Sequence, residues 1–377
     1  MRLLHTADWH LGRTLHGYPL LEDQAKLLTD ITTAAVEFKA DAVLVAGDVF
    51  DRAVPPPEAV EVLDEVLYRL IVEQRLPVIM IAGNHDSPRR LSFGARLMQP
   101  QGLIIRTDLQ EITAPIVLQD GHGQLDIFAL PYVEPAIVNL AFGITTHSHH
   151  DAMQAVISRL PLEPGRRKLA MAHLFLQGGA ESESERPLTV GTLEGVSPEL
   201  FAPFDYVALG HLHRPQSWSD GRIRYSGSLM RMSFDEADHE KSFTLIEIDR
   251  AGKVETESVV LKPGRQVELK KGYLNELMGS GPSTDFISVE LLDEGAVLDA
   301  HGRLREVFSN LCEVRRPHYR PAVLAGEADR ARTDRSTGEL FADFFETMTG
   351  DVIPIAERNV FETAYRDFSA AEREAGA

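Results

Sequence analysis

Five short clusters of acidic, amide and imidazole side chains are the residues of this sequence most suited to chemistry. Each cluster directly follows an apolar run that is typical of a buried strand. The clusters are Asp8-Trp9-His10, Gly47-Asp48-Val49-Phe50-Asp51-Arg52, Gly83-Asn84-His85-Asp86, Ala172-His173 and Gly210-His211-Leu212-His213. Because ligands of α/β sheets bind at the carboxyl ends of the strands, clusters far apart in sequence are expected to meet there. The sequence therefore predicts one polar site assembled from five strand ends.

The side chains of these clusters are suitable ligands for a divalent metal ion. Carboxylates, imidazoles and amide oxygens suit ions such as Mn²⁺. Cys312 is the only cysteine, so a thiolate cluster and an intramolecular disulfide are both excluded. Any one cluster has a plain structural explanation, since an Asp-x-His recurs by chance and a histidine such as His173 after an apolar run is usually a core residue. It is the ordered set of five that predicts a metal site.

This ordered set is the pattern of the calcineurin-like metallophosphoesterases. The longer segments around it resemble one family among them, the SbcD nuclease subunits of bacterial SbcCD complexes. The similar segments are 5–13, 46–52, 81–88, 210–216 and 225–228. The resemblance is specific from residue 1 to about residue 260 and less distinctive beyond. It implies an α/β fold with a calcineurin-like core of two mixed sheets flanked by helices, a small α+β capping domain and C-terminal helices.

The resemblance also implies a role for each residue of the site. One metal would be held by Asp8, His10, Asp48 and His213. The second would be held by Asp48, Asn84, His173 and His211, with Asp48 bridging the two. His85 would be catalytic without being a ligand, and Asp51 and Asp86 would orient histidine ligands. Two divalent ions, with Mn²⁺ the best candidate, would activate water for in-line attack on phosphorus.

The function implied by the resemblance is that of a metal-dependent DNA nuclease subunit. It would act as a 3′→5′ exonuclease on duplex ends and as an endonuclease on hairpins, in double-strand break repair and recombination. Its partner would be an SbcC-type coiled-coil ATPase, around a homodimer of the nuclease subunit within a heterotetramer. The chain has no G-x-x-x-x-G-K-[ST] motif, so the ATPase must be the partner.

Two other functions remain open at the level of sequence. A stand-alone metallophosphatase or small-molecule phosphodiesterase would use the same core, but it would need no added domain and no terminal helices. A non-catalytic scaffold is disfavoured, because the ligand set is complete. The net charge of −19 counts against a general affinity for nucleic acid, although bound divalent ions would meet the phosphate directly.

Composition places the protein among cytoplasmic globular proteins. A hydrophobic content of 44% is ordinary, and 377 residues suffice for about two domains. No apolar stretch approaches the roughly 18–20 residues of a membrane span. The N-terminus turns polar after a few residues, unlike a signal peptide. We expect a cytoplasmic protein with no membrane partner.

Apolar runs that alternate with amphipathic patterns predict the elements that position the site. Strands are expected at 2–6, 42–46, 77–82, 125–130, 168–172, 206–209, 222–225, 242–248 and 254–261. Helices are expected at 21–38, 56–73 and 151–159. A small α+β unit is expected from a strand at 285–291, a helix at 298–310 and a strand at 311–315.

These patterns predict three domains. Residues 1–265 would form the nuclease domain, 276–320 the capping domain, and 325–377 a linker with partner-binding helices. The linker would be 325–335 and the helices 337–348 and 355–373. Apolar positions of the first helix, among them Leu340, Phe341, Phe344 and Phe345, would form a face that is either core or a docking surface.

Three polar features receive less specific interpretations. The cluster His147-Ser148-His149-His150 is interpreted as a solvated loop. The acidic segment 178–187 is interpreted as a mobile loop. Four basic residues near the predicted site would either contact phosphate or remain solvated: Arg13, His16, Arg89 and Arg90.

Overall fold

The structure is a computed structural model, which describes residues 1–185, 195–295, 297–317, 337–349, 353–355, 357–361 and 363–365. Two compact units are distinguished. The core unit comprises Met1–Leu292 and Asp299–Pro317, and the C-terminal unit comprises Asp293–Leu298 and the described residues from 337 onward. No helix among the described residues is both long enough and apolar enough to cross a bilayer.

Strands dominate the core unit. They are β1 (Arg2–Thr6), β2 (Thr14–Leu15), β3 (Tyr18–Pro19), β4 (Ala42–Val45), β5 (Val78–Ile81), β6 (Leu103–Arg106), β7 (Ile116–Asp120), β8 (Gly123–Leu130), β9 (Arg167–His173), β10 (Tyr206–Gly210), β11 (Gln216–Trp218), β12 (Ile223–Tyr225), β13 (Ser242–Ile248), β14 (Val254–Val260), β15 (Val267–Gly272), β16 (Ser283–Leu291) and β17 (Phe308–Arg315). The helices are α1 (Leu21–Glu37), α2 (Pro57–Leu67), α3 (Pro88–Leu91), α4 (Ala95–Met98), α5 (Pro135–Phe142), α6 (His149–Ile157), α7 (Leu274–Met278), α8 (Ala300–Arg305) and, in the C-terminal unit, α9 (Thr337–Thr349).

Two mixed sheets of six strands each form the centre of the described core unit. The first has the order β14-β13-β1-β4-β5-β6, and the second has the order β11-β12-β10-β9-β8-β7. In each sheet four consecutive strands run parallel, β1-β4-β5-β6 in the first and β12-β10-β9-β8 in the second. An antiparallel strand borders the first set on one side (β13) and the second set on both sides (β11 and β7). The expected fold, two mixed sheets with flanking helices, is therefore confirmed.

The sheets pack face to face, with helices on the outer faces. Alternation along β4 divides its apolar side chains between two clusters: Ala42 and Leu44 join the cluster between the sheets, and Val43 and Val45 join the one under α1 and α2. Such strands are buried on both faces, which explains why they are continuous apolar runs in the sequence. Packing of α5 and α6 covers the second sheet.

A buried polar bridge joins the two sheets. His5 of β1 is fully buried; its Nδ1 lies 3.1 Å from the Tyr206 hydroxyl, and its Nε2 lies 3.1 Å from the Leu209 carbonyl oxygen. Burial lowers the pKa of His5 to about 3, so the ring is neutral. Because a carbonyl only accepts, Nε2–H donates to Leu209 and Nδ1 accepts from Tyr206. The bridge ties β1 to β10, two strands that end in site residues.

Several expected elements differ from those observed. The helix expected at 56–73 is α2 followed by a π-helical segment, Tyr68–Glu73. The helix expected at 298–310 is wrong at its end, because α8 stops at Arg305 and Phe308 already pairs with Ser283 of β16. Strand pairing there overrides the local helical pattern. The residues of the expected 325–335 linker lie outside those described.

The small α+β unit is a parallel sheet in the order β15-β16-β17, with α7 and α8. The sequence prediction missed β15, because half of its residues are charged and only its two end residues, Val267 and Gly272, are buried. The unit packs beside the β2–β3 hairpin, where the Tyr18 hydroxyl donates to the Leu311 carbonyl oxygen at 3.2 Å. The hairpin thus links the unit to the segment that follows Asp8 and His10.

We expect Tyr206→Phe to lower the free energy of unfolding by about 1–3 kcal/mol, because it leaves the buried Nδ1 of His5 without its donor. Chemical denaturation followed by circular dichroism measures the change. Tyr68→Phe is the control, since Tyr68 is 51% exposed and its substitution should have no effect. Equal stability of the two variants would contradict the bridge.

Candidate metal centre

All five clusters lie at the same edge of the core unit, each at the carboxyl end of a strand. Asp8 follows β1, Asp48 follows β4 and Asn84 follows β5, while His173 ends β9 and His211 follows β10. The first three belong to one sheet and the last two to the other. Main-chain hydrogen bonds join neighbouring turns, for example from the Asp8 amide to the Gly47 carbonyl oxygen at 3.1 Å.

The turns that carry these residues are strained. Asp8, His10, Asp48 and His211 have φ values of 51°, 45°, 48° and 110°. Non-glycine residues rarely adopt positive φ, and such conformations concentrate at functional sites, where surrounding structure enforces them. Four of the seven predicted ligands are therefore held in conformations that local sequence alone would not favour.

Two glycines allow the turns to approach each other. A Cβ on Gly83 would lie 2.1 Å from Asp48 Oδ1, and a Cβ on Gly47 would lie 2.3 Å from His173 Nδ1. Both separations are far below van der Waals contact, and Gly47 also has φ of +93°. These positions require glycine because any side chain would displace a polar group of the site.

The donor atoms gather in two groups around one carboxylate oxygen, Asp48 Oδ2. In the first group, His10 Nε2 lies 3.5 Å from Asp48 Oδ2 and 3.0 Å from His213 Nε2. Asp8, His10 and Asp48 also bring one donor atom each to within 4.8 Å of one another. Asp8 Oδ1 accepts the His211 amide at 2.9 Å, so Asp8 is held between the two sheets.

The second group approaches the same oxygen through His173. His173 Nε2 is 3.4 Å from Asp48 Oδ2 and 2.9 Å from Asn84 Oδ1. His211 Nδ1 is 3.2 Å from Asn84 Oδ1. His173 Nδ1 donates to the Ala46 carbonyl oxygen at 2.9 Å, so Nε2 is the ring nitrogen that faces the site. All seven residues predicted as ligands are therefore brought together, and Asp48 Oδ2 lies within 3.5 Å of one imidazole nitrogen of each group.

The electrostatics of this cluster fit a cation. Among the described residues, Asp8 Oδ2, His10 Nδ1 and Asn84 Nδ2 are buried without a hydrogen-bond partner. Burial raises the pKa of Asp8 well above its ordinary value. Burial also opposes the charged form of His173, yet Asp48 and Asp8 raise the pKa of that ring to about 9. Closely spaced oxygens and imidazoles that compete for protons are a donor set suited to divalent ions.

His85 lies beside the donor groups and is half-buried. Its amide donates to Asp48 Oδ1 at 2.8 Å, and its Nδ1 donates to the Asp51 carbonyl oxygen at 2.7 Å. The His85 and His10 rings meet edge to face, with centroids 4.7 Å apart. Because Nδ1 is occupied, Nε2 is the ring nitrogen left for a further hydrogen bond.

The expected role of Asp86 is wrong. Its carboxylate accepts the amides of Val49, Phe50 and Gly83 rather than a histidine. Asp86 therefore ties the turn after β5 to the turn after β4. Burial raises its pKa to about 6.

Asp51 differs from expectation in another way. Its carbonyl oxygen accepts from His85, whereas its carboxylate bonds to Arg13 Nη1 at 3.2 Å and lies 3.7 Å from His10 Nδ1, beyond hydrogen-bond distance. Asp51 thus orients His85 through its main chain.

The sequence prediction missed a group of residues behind His213. They are Ser184, Glu185, Glu236 and Lys241. The acidic segment expected to be a mobile loop is packed against the site as far as residue 185. Ser182 and Ser184 are buried, and Glu185 Oε1 accepts the His213 amide at 2.6 Å. Residues 186–194 lie outside the described part of the chain. Polar composition gave no sign that this segment would be buried.

The remaining polar features occupy distinct places. Arg13 donates to Asp51 and to the Ser184 carbonyl oxygen, so its described contacts are with protein groups. Arg89 and Arg90 are exposed on α3, just after the His85 turn. The expectation of a solvated loop for the 147–150 histidines is only partly right, because His149 and His150 open α6 and His150 Nδ1 accepts the Ser197 amide.

Two family profiles match this chain. A family profile described as calcineurin-like phosphoesterase matches residues 1–215, and one described as type 5 capsule protein repressor C-terminal domain matches residues 263–349. Two solved structures are also similar, a Thermus thermophilus protein and a dimetal phosphatase from Danio rerio. Their identities are 15% and 14% and their TM-scores 0.37 and 0.41, and each match covers 68% of this chain and 98% of the solved chain.

A curated relative is more similar in sequence. The SbcD nuclease of the SbcCD complex from Staphylococcus saprophyticus is 35% identical over 317 residues, which cover 82% of this chain and 83% of that protein. The calcineurin-like profile spans more than half of the chain, and the match to the relative covers more than two thirds of both proteins. The chain belongs to the calcineurin-like phosphoesterases, and among them to the family of the SbcD nucleases.

Proposed function

We propose that this chain is a cytoplasmic metal-dependent DNA nuclease subunit that cleaves phosphodiester bonds with two divalent ions, Mn²⁺ foremost. The observation that carries the proposal is the position of Asp48 Oδ2, 3.5 Å from His10 Nε2 and 3.4 Å from His173 Nε2. One buried carboxylate oxygen shared by two imidazole groups is the arrangement that a bridged pair of cations requires. The family of the SbcD nucleases supplies the substrate class, DNA.

The first ion would be held by Asp8, His10, Asp48 and His213, and the second by Asp48, Asn84, His173 and His211. When bound, the ions supply activation of water and neutralisation of phosphate charge. His85 acts on the substrate itself. Its Nδ1 is fixed by the Asp51 carbonyl oxygen, so a proton on Nε2 can stabilise phosphate charge or pass to the leaving sugar oxygen.

The substrates and partners follow from the family. We propose 3′→5′ exonuclease action on duplex ends and endonuclease action on hairpins, coupled to an SbcC-type coiled-coil ATPase. The exposed arginines 89 and 90 after the His85 turn support contact with a phosphate backbone. Phe93, which lies between α3 and α4, is 85% exposed, and Leu97 of α4 is 84% exposed. These two exposed apolar side chains support a homodimer interface at this surface.

The C-terminal unit supports a docking role, with one change from the sequence interpretation. Phe341 of α9 stacks on Phe361, with ring centroids 3.8 Å apart, so it packs within the unit. Phe344 is 59% exposed. The expected aromatic face is therefore divided, and we propose that Phe344 belongs to the surface that meets the ATPase.

Calorimetric titration should find two Mn²⁺ ions per chain. We expect His10→Ala to lose one ion, His211→Ala to lose the other, and Asp48→Ala to lose both, because Asp48 Oδ2 is shared. Far-ultraviolet circular dichroism of each metal-free variant checks its fold. Two ions retained by a folded Asp48→Ala chain would refute the bridging role.

His85→Ala should lower kcat by about 10²–10⁴-fold while both ions remain bound. Comparing substrates with different leaving groups distinguishes the two possible roles of the His85 ring. If His85 protonates the leaving oxygen, the loss is larger on DNA than on bis-p-nitrophenyl phosphate, whose leaving group needs no proton; if it stabilises phosphate charge, the losses are equal. His122→Ala, in an exposed turn between β7 and β8, should keep full activity. A His85→Ala chain that takes up no Mn²⁺ would show that the ring is structural.

Truncation after Arg320 should leave a folded core that still hydrolyses bis-p-nitrophenyl phosphate. The same truncation should abolish association with the ATPase and ATP-dependent cutting of duplex DNA. Phe344→Asp in the full chain should reproduce the loss of association without changing the melting temperature. If truncation lowers the melting temperature and small-substrate activity together, the terminal helices are part of the core, and the stand-alone phosphodiesterase becomes the better description.

A further inference from the structure

His213 has an outer hydrogen-bonded shell built largely from residues that no motif contains. Its Nε2 is 3.0 Å from His10 Nε2, inside the first donor group. Its other nitrogen, Nδ1, lies 2.5 Å from Ser184 Oγ and 3.4 Å from Glu236 Oε1. Ser184 is 7% exposed and Glu236 is fully buried, so water does not compete for these bonds.

The direction of each bond follows from what each group can donate. The Glu236 carboxylate only accepts, and it accepts the Ser184 hydroxyl through Oε1 and the Met232 amide through Oε2. With its proton given to Glu236, Ser184 Oγ accepts from His213 Nδ1–H. The proton is then held on Nδ1, and the lone pair stays on Nε2, where a metal ion would need it.

Lys241 completes the arrangement. Its Nζ lies 2.7 Å from Glu236 Oε2, 2.8 Å from the His213 carbonyl oxygen and 2.9 Å from Ser228 Oγ. All three ammonium protons therefore have acceptors, although the side chain is only 3% exposed. One lysine both neutralises Glu236 and holds the main chain of His213. By contrast, among the described residues no hydrogen-bond partner reaches Nδ1 of His10, from which Asp51 Oδ1 lies 3.7 Å away.

We propose that Glu236, acting through Ser184 and with Lys241 as its counter-charge, is the positioning residue that fixes the tautomer and place of His213 and so sets the metal affinity of the first donor group. The proposal rests on the metal centre proposed above. It extends that centre with residues that lie outside the five clusters and that do not themselves touch the substrate.

The test has two readouts that do not depend on activity. Nitrogen-15 NMR of the metal-free chain, with His213 assigned by loss of its signal in His213→Gln, should find the proton on Nδ1. In Glu236→Gln the spectrum should change to a mixture of both tautomers. Calorimetric Mn²⁺ titration of the same variant should show one ion bound about 10–100-fold more weakly and the other unchanged.

Further variants separate positioning from stability. Glu236→Gln/Lys241→Met removes the ammonium left unpaired by the first change, so it should melt above Glu236→Gln while Mn²⁺ binding stays weak. Asp126→Asn is the matched control: Asp126 is a buried carboxylate paired with Arg166 and opposite Lys168, five residues before His173, and it should leave Mn²⁺ affinity unchanged. If Glu236→Gln does not fold, Ser184→Ala should cause the same tautomer change.

Three results would overturn the proposal. They are an unchanged His213 tautomer in a folded Glu236→Gln chain, two ions bound at parental affinity, or Mn²⁺ affinity that returns together with the melting temperature in the double variant. If the unaltered chain binds no Mn²⁺, the metal centre fails instead, and the tautomer measurement still decides the role of Glu236.

Discussion

The position of one buried carboxylate, Asp48, constrains the rest of this structure. Its Oδ2 lies within 3.5 Å of an imidazole nitrogen of each donor group, and its Oδ1 accepts the amide of His85. The same side chain therefore places both donor groups and the proposed catalytic histidine. To reach this position Asp48 adopts a left-handed conformation, and the glycines at 47 and 83 remove the side chains that would otherwise occupy the space. Such strain is maintained only because the surrounding turns are hydrogen-bonded to one another.

The site takes residues from both sheets, so its geometry depends on how the two sheets are aligned. The apolar cluster between them holds them face to face, but apolar contact alone is not directional. The His5–Tyr206 bridge adds direction, since a hydrogen bond weakens steeply when its partners shift. The amide of His211 donating to Asp8 adds a second such link at the edge itself. Relative sliding of the sheets would separate the two halves of the donor set.

The buried charged side chains of the core unit differ in how their charges are neutralised. Glu236 and Lys241 are both buried, and each is neutralised by the other and hydrogen-bonded by further groups. Burial opposes the charged form of Glu236, but Lys241 and His213 hold its pKa well below the ordinary value. Asp8 shares its counter-charge, the His173 ring 3.9 Å away, with Asp48, and burial raises the pKa of Asp8 well above its ordinary value. The difference separates the residues that support the site from those that need a cation to complete it.

Sequence alone determined the fold class and the strands that carry the site, and the resemblance to a known family predicted which residues of those strand ends form the donor set. It did so because buried parallel strands are apolar runs and because functional residues follow their carboxyl ends, so both signals are local. Tertiary structure alone decided how those residues are supported. Asp86 binds three amides rather than a histidine, and Glu236 and Lys241, more than twenty residues beyond His213, form the buried pair behind it. Likewise β15 and the first residues of β17 depend on pairing with β16, which no local pattern encodes. These contacts join residues distant in sequence, and a polar residue in isolation carries no sign of whether it will face water or a buried partner.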